Sequence, residues 1–113
     1  MSRTVYLSGE FIPEADAKIS IFDSAVTVGD TVTESTRTFA HQPFKLERHI
    51  ERLYKSLKVT RIDPGCDPTE LLKITEKVLE INLPLIEDRE DYWIVHNISR
   101  GMFVLGPDPT VQR

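Results

Sequence analysis

The sequence predicts an α+β domain in which two helices pack on a mostly antiparallel sheet. Three observations lead to this prediction. The N-terminal part of the chain contains short runs of β-branched residues that alternate with polar ones, as strands do. Two central segments space their apolar residues three and four positions apart, as amphipathic helices do. A β-branched and aromatic run follows the helices, and this order is typical of α+β domains.

The first strands are predicted from alternation and from turn residues. Thr4–Leu7 and residues 11–12 flank Ser8 and Gly9, so we expect them to form a short hairpin. Residues 18–22 alternate polar and apolar side chains and are predicted as a further strand.

The longer strands follow. Thr31–Phe39 is rich in β-branched residues, and residues 44–46 are expected to return antiparallel to it. Residues 92–99, near the end of the chain, are predicted as the last strand for the same reason.

The first helix is predicted from the spacing of its apolar residues. They recur at intervals of three and four, which places them on one helical face. These residues are Leu46, Ile50, Leu53, Tyr54 and Leu57.

The second helix is predicted from its start signals. Asp67 is a typical N-cap, Pro68 suits the first helical position, and Glu70 completes a capping box. Pro84 is expected to end the helix, because proline cannot continue the backbone hydrogen bonds. The core-facing residues of this helix are predicted to be Leu71, Ile74, Val78 and Ile81.

Composition excludes several classes of partner. The formal net charge is -4 and the sequence pI is about 5.3, so we expect no nucleic-acid partner and no anionic membrane partner. The N-terminus lacks the apolar stretch of a signal peptide, which favours a cytoplasmic protein. Cys66 is the one cysteine, and with three scattered histidines it offers no zinc-site spacing, so we expect no metal.

Charged residues in two blocks are candidates for chemistry. Glu34 and Arg37 follow a Gly-Asp pair, and Arg52 lies one turn after His49 on the first predicted helix. Each also has a structural interpretation. Glu34 and Arg37 could form an ion pair with each other, and Arg52 could pair with Glu51 on the helix surface.

The order and spacing of these residues resemble the class IV, fold-type IV aminotransferases, which depend on pyridoxal phosphate. The resemblance covers roughly residues 4–106 and includes branched-chain and D-amino-acid aminotransferases, (R)-selective amine transaminases and aminodeoxychorismate lyase. The residues that carry it are Asp23, Gly29, Asp30, Glu34, Arg37, Pro43, Phe44, Leu46, His49, Arg52, Leu53 and Ser56.

The resemblance implies a cofactor ligand and a substrate pocket. Arg52 matches the family's arginine that contacts the phosphate of pyridoxal phosphate, a role that suits a permanently charged, planar guanidinium. Arg37 could help to hold a substrate carboxylate. Trp93 could instead be a core residue. The positions implied to line the pocket are Val28, Thr33, Ser35, Arg37, Trp93 and Val95.

The pocket departs from the family at two positions. Relatives usually have an aromatic residue where this chain has Thr33, and many have a large group where it has Val28. The smaller residues predict a roomier or differently polar pocket.

The cofactor-binding lysine of the family matches no residue here. The resemblance places that lysine in a following domain, and we expect the six lysines of this chain to lie on its surface. Residues 1–106 are therefore expected to be the small N-terminal domain and residues 107–113 the start of an interdomain linker. The chain alone is expected to be inactive. We expect a C-terminal domain, as a second chain or a cleaved half, to complete the enzyme.

The implied activity is transfer of an amino group between an amino acid and a 2-oxo acid. A branched-chain L-amino acid is the first choice of substrate. D-amino-acid or (R)-amine transamination and an aminodeoxychorismate-type lyase remain alternatives, as does a non-catalytic binding or assembly domain. The family's enzymes are dimers with pockets shared between subunits, so a homodimer is expected.

Overall fold

The N-terminal hairpin forms as its turn residues predict. In the computed structural model, which describes residues 2–102, strands β1 (Thr4–Leu7) and β2 (Glu10–Pro13) pair antiparallel. Ser8 and Gly9 connect them, both with positive φ (49° and 91°), as a tight hairpin turn of the I′ kind requires. A single 3-10 turn, Glu14–Asp16, follows the hairpin.

The segment predicted as a further strand after the hairpin is not a strand. Residues 18–22 form a loop and a turn instead, and Asp23 then caps a short helix, α1 (Ser24–Thr27). The Asp23 carboxylate accepts a hydrogen bond from the Ala25 amide at 2.9 Å. The alternation in residues 18–22 misled because it does not mark a buried face. Its apolar members, Ile19, Ile21 and Phe22, are all exposed.

Three strands make the second sheet. The central strand β3 (Thr31–Phe39) pairs antiparallel with β4 (Gln42–Pro43) on one side and with β5 (Trp93–Ser99) on the other. The predicted returning strand is therefore right in direction but begins earlier than residues 44–46. The Phe44 amide still donates to the Arg37 carbonyl at 2.9 Å.

Two long helices provide the core, as predicted. Helix α2 (Leu46–Thr60) buries all but one of the residues predicted for its stripe, and Tyr54 is half-buried beside them. Helix α3 (Pro68–Asn82) begins with the predicted Asp67–Glu70 capping box. A 3-10 turn, Leu83–Leu85, follows it at Pro84. The central cluster is Leu46, Ile50, Leu53, Leu57, Ile62 and Leu71.

The buried face of α3 differs from the predicted one. The prediction named Ile74, Val78 and Ile81 beside Leu71, whereas the residues that are buried are Leu71, Thr75, Leu79 and Asn82. Hydrogen bonds make this possible for the two polar residues. The Asn82 side chain exchanges two hydrogen bonds with the backbone of Thr4, at 2.7 and 2.8 Å, and so fixes the hairpin to the end of α3.

The overall fold is thus α+β with antiparallel sheets and helices packed on them, which confirms the predicted class. The single predicted sheet is divided into a two-stranded and a three-stranded sheet. Within residues 2–102, no helix combines the length and the apolar character needed to cross a bilayer.

Candidate functional site

The central strand β3 separates two groups of candidate residues. Its even-numbered residues point toward α2 and are buried, apart from the half-buried Val32. Its odd-numbered residues point away and, with their partners on β5, form a surface that we call the open face. The open face comprises Thr31, Thr33, Ser35 and Arg37 of β3 with Ser99, Asn97, Val95 and Trp93 of β5.

Glu34 lies on the helix side of β3 and joins two residues of α2. Its side chain is only 7% exposed, yet it accepts three hydrogen bonds. Arg52 donates from Nε to Oε2 at 3.0 Å and from Nη2 to Oε1, and His49 donates from Nδ1 to Oε1 at 2.8 Å. We call these three residues the Glu34 cluster. They meet because His49 and Arg52 are three positions apart on one helix face.

The Glu34 cluster keeps this carboxylate ionised. The hydrogen bonds from Arg52, helped by the one from His49, lower the pKa of Glu34 to about 2, although burial acts in the opposite direction. The same contact raises the pKa of Arg52 above its ordinary value. At neutral pH the cluster therefore contains a buried carboxylate and a guanidinium that are both charged.

Arg52 is fixed on one side and open on the other. Two of the five guanidinium N–H groups point to Glu34, which leaves three. The side chain is 67% exposed, and among residues 2–102 the carboxylate of Glu34 is its only charged partner. Arg52 does not pair with Glu51, which instead lies 3.9 Å from Lys55. The free edge of Arg52 is available to an anion.

Arg37 does not pair with Glu34, and the expectation of an ion pair between them is wrong. The two residues point to opposite faces of β3, because side chains alternate along a strand. Arg37 instead lies 3.5 Å from Asp91 and stacks over the Phe39 ring, with 4.1 Å from its Cζ to the ring centroid. The His41 amide and the Thr38 hydroxyl also donate to Asp91 and, in that order, lower its pKa.

The open face carries most of the predicted pocket residues. Thr33 and Ser35 share it, as expected, and Thr33 donates to the Asn97 side chain across the strands at 2.7 Å. Trp93 is 73% exposed, so the alternative that it is a core residue is wrong. Sequence reasoning missed Asn97, for which the only signal was its register opposite Thr33.

The structure does not bring all the predicted residues together. Arg52 belongs to the helix side of β3, opposite Thr33 and Ser35, and Val28 lies outside the paired strands at the end of α1. A groove of about 1030 Å³ between the hairpin and β5 is lined by Trp93 and Val95 among others, but not by Arg52.

Asp30 has a structural partner. Arg100 donates to its carboxylate at 2.6 Å and to the carbonyls of Thr60 and Arg61, both at 2.9 Å. This arginine therefore ties the turn before β3 to the C-terminal end of α2.

His96 is a half-buried titratable group on β5, next to the Glu34 cluster. It is opposite Glu34 in the strand register, and its Nε2 lies 2.9 Å from the Thr75 hydroxyl. That hydroxyl donates to the Leu71 carbonyl, so it accepts from His96. Burial lowers the pKa of His96, and the neutral form of the ring predominates.

No lysine of this chain lies in a setting that suits covalent catalysis. All six lysines fall within residues 2–102 and are exposed, so none is enclosed by apolar side chains as a Schiff-base lysine would be. Nor do residues 2–102 contain three or more His, Cys, Asp or Glu side chains grouped as metal ligands.

Known proteins share both the sequence pattern and the fold. The family model for amino-transferase class IV matches residues 31–103. A putative branched-chain-amino-acid aminotransferase of Methanocaldococcus jannaschii is 36% identical over 105 residues, or 93% of this chain and 35% of that protein. Aminodeoxychorismate lyase of Bacillus subtilis is 36% identical over 78 residues, or 69% of this chain and 27% of that protein.

A solved structure extends the likeness to three dimensions. The T.th. branched-chain amino acid aminotransferase, complexed with N-(5'-phosphopyridoxyl)-L-glutamate, superposes with a TM-score of 0.81 at 28% identity. The match covers 99% of this chain and 37% of that one, so the chain spans about a third of the length of such relatives. By its sequence match and its fold, the chain belongs to the class IV aminotransferase family.

Proposed function

We propose that this chain supplies the phosphate-binding arginine and one side of the substrate pocket to a pyridoxal-phosphate-dependent aminotransferase. The observation that carries the proposal is the state of Arg52, which is fixed along one edge by a buried carboxylate and exposed along the other. The T.th. relative supports it, because the molecule in that structure contains a phosphopyridoxyl group.

The chemistry of Arg52 fits a phosphate. Its three free N–H groups are donors, its charge persists at any working pH, and a guanidinium can donate two parallel hydrogen bonds to phosphate oxygens. When bound, pyridoxal phosphate supplies an electron sink for negative charge on the substrate carbon. In this proposal Arg52 binds and orients the phosphate and takes no part in moving protons.

The open face would form one side of the substrate pocket. Trp93 and Val95 present exposed apolar surface that can exclude water from the reacting groups. Arg37 brings a positive charge for a substrate carboxylate, and its contacts with Asp91 and Phe39 hold it in place. Thr33 and Ser35 add hydroxyl groups, and Val28 would contribute from the end of α1.

The remaining machinery would come from a second domain. Because all six lysines are exposed, we propose that the lysine that moves the proton belongs to polypeptide outside this sequence. Residues 1–106 would then be the small domain. The proposed linker, residues 107–113, lies outside the described residues. On the family resemblance alone, we also propose a homodimer that acts in the cytoplasm.

A branched-chain L-amino acid and a 2-oxo acid are the proposed substrates, since branched-chain aminotransferases recur among the relatives. One observation favours a second candidate. The hydrogen-bonded Thr33–Asn97 pair gives the open face a polar patch, which suits a small or polar amino acid better than an aliphatic one. D-alanine aminotransferase of Staphylococcus haemolyticus, 31% identical over 78 residues, is a relative of that kind.

Absorption spectroscopy tests the proposal. The complete protein should develop a visible cofactor band when pyridoxal phosphate is added, and it should then transfer amino groups from a panel of amino acids to 2-oxoglutarate or pyruvate. The panel should include leucine, valine, D-alanine and an (R)-amine. The 113-residue chain alone should show no turnover. A complete, folded protein with neither a band nor turnover would overturn the proposal, and cleavage of added aminodeoxychorismate without amino-group transfer would favour the lyase alternative.

A further inference from the structure

The two ends of the Glu34 cluster differ in burial and in the number of hydrogen bonds that they make. Glu34 is 7% exposed and accepts three hydrogen bonds, whereas the Arg52 side chain is 67% exposed, and among residues 2–102 that carboxylate is its only charged partner. Glu34 comes from β3 and Arg52 from α2, so the contact joins two different elements through residues that are 18 positions apart in sequence.

We propose that Glu34 is a positioning residue for Arg52 and sets how tightly the cofactor phosphate is bound. In this proposal His49 donates from Nδ1 to the Glu34 carboxylate and so acts on Arg52 only through Glu34. The inference rests on the proposed role of Arg52 as the phosphate ligand, and it assigns a role to a residue that does not itself touch the phosphate.

The physical reason is conformational entropy. A free, exposed arginine samples many rotamers and loses that freedom when it binds an anion. Two hydrogen bonds to one buried carboxylate fix the plane of the Arg52 guanidinium before any ligand arrives, and the three remaining N–H groups then point in a constant direction. Preorganisation of this kind raises affinity without a new contact.

A competing effect acts in the opposite direction. The Glu34 carboxylate is negative and repels a phosphate, so its removal would strengthen binding if repulsion dominated. Preorganisation should win, because Glu34 is on the far side of the guanidinium from the exposed edge and Arg52 screens its charge. Neutralising Glu34 should therefore weaken binding.

The test compares two ligands that differ only in the phosphate. In the complete enzyme, Glu34→Gln keeps the side-chain shape but removes the charge, and the dissociation constant for pyridoxal phosphate should rise by about two- to tenfold. The dissociation constant for pyridoxal, which has no phosphate, should not change. Titration of cofactor absorbance measures both constants without reference to turnover.

A double-mutant cycle separates positioning from general damage to the fold. In an Arg52→Ala background, Glu34→Gln should have no further effect on pyridoxal phosphate affinity, because the residue that it positions is gone. If Glu34→Gln fails to fold, His49→Gln should give a smaller loss of the same kind, again for pyridoxal phosphate only.

Several outcomes would overturn the inference. Tighter binding by Glu34→Gln would show that repulsion dominates, and equal losses for pyridoxal and pyridoxal phosphate would show a structural role. Additive losses in the double variant would contradict positioning through Arg52. The proposed function fails in a different way, namely if Arg52→Ala alone leaves pyridoxal phosphate affinity unchanged.

Discussion

At the scale of single residues, Glu34 shows how burial and charge are reconciled in this domain. A carboxylate that loses almost all contact with water is tolerated because three donors replace the water. These donors come from α2, so the charge of Glu34 also contributes to the packing of that helix on β3. Its ionisation state should consequently affect stability.

The first prediction concerns Glu34 at acid pH. The pKa of this carboxyl is about 2 in the folded chain and 4.5 without these contacts, so its contribution is complete above pH 4.5 and is lost as the pH falls toward 2. The contribution is at most about 3 kcal/mol, and less to the extent that water screens the exposed Arg52. Glu34→Gln should lower the free energy of unfolding at neutral pH. The free energy of unfolding of this variant should also fall less steeply than that of the wild type as the pH is lowered from 4.5 toward 2.

Urea unfolding of both proteins between pH 5 and pH 2 measures the difference in slope. Glu76→Gln, at an exposed position on α3, is the control and should follow the wild-type curve. If the free energies of unfolding of wild type and Glu34→Gln fell in parallel with pH, the prediction would be wrong.

The second prediction concerns His96. Burial lowers its pKa below the ordinary 6.5, so the unfolded chain binds a proton more readily than the folded one. The contribution of the neutral His96 ring to the free energy of unfolding is therefore complete above about pH 6.5 and is lost as the pH falls below that value. His96→Gln, which cannot titrate, should reduce the loss of stability between pH 7 and pH 5. An unchanged loss in thermal unfolding over that range would show that His96 is not the group responsible.

At the scale of elements, helix α2 holds the domain together. It supplies four of the buried core residues and two of the three residues of the Glu34 cluster. One face of the helix packs and an adjacent strip carries the candidate chemistry, so any change in the packing of α2 should also move Arg52.

The third prediction tests the core face of α2. Leu53 is fully buried, and Leu53→Ala should lower the free energy of unfolding by about 2–5 kcal/mol through lost burial and a cavity. Val59, on the same helix, is 83% exposed, and Val59→Ala should change stability by no more than about 0.5 kcal/mol. Chemical unfolding of both variants gives the comparison. Similar losses for the two would contradict the assignment of the core face.

The elements that sequence reasoning predicted well are those with redundant signals. Helix α2 has an unbroken apolar stripe, and α3 has a capping box at its start, so local physics was sufficient for both. Residues 18–22 had alternation alone, and no neighbouring strand among the described residues pairs with them. The buried face of α3 was misjudged because Thr75 and Asn82 also have hydrogen-bond partners far away in sequence, His96 and Thr4.

The same distinction applies to the candidate site. Arg52 was singled out by a motif within one helix, but its partner could not be predicted, because Arg37 and Arg52 look equally suited to pair with Glu34 in a linear sequence. The structure decides between the two arginines, because Glu34 points toward α2, which carries Arg52, whereas Arg37 points to the other face of β3. Asn97 was missed because its contact with Thr33 depends on the register of two strands.

At the scale of the whole molecule, the domain presents two different surfaces beside one strand. The helix side of β3 carries the Glu34 cluster, and the open face carries hydroxyl groups, Arg37 and an exposed tryptophan. Polar and aromatic groups exposed together on a sheet are typical of a surface that contacts a ligand or another domain. The chain spans about a third of the length of its relatives, which is consistent with a pocket completed by further polypeptide.

The affinity of the complete protein for pyridoxal phosphate, with and without Arg52, tests the central claim most directly. Arg52→Ala should raise the dissociation constant by about ten- to a hundredfold, as expected for the loss of charge-assisted hydrogen bonds. Arg48→Ala is the control, since Arg48 is an exposed arginine on the same helix without an ion pair among the described residues, and it should bind the cofactor like the wild type. Equal affinities for wild type, Arg52→Ala and Arg48→Ala, measured by absorbance titration of folded protein, would contradict the claim that Arg52 binds the cofactor phosphate.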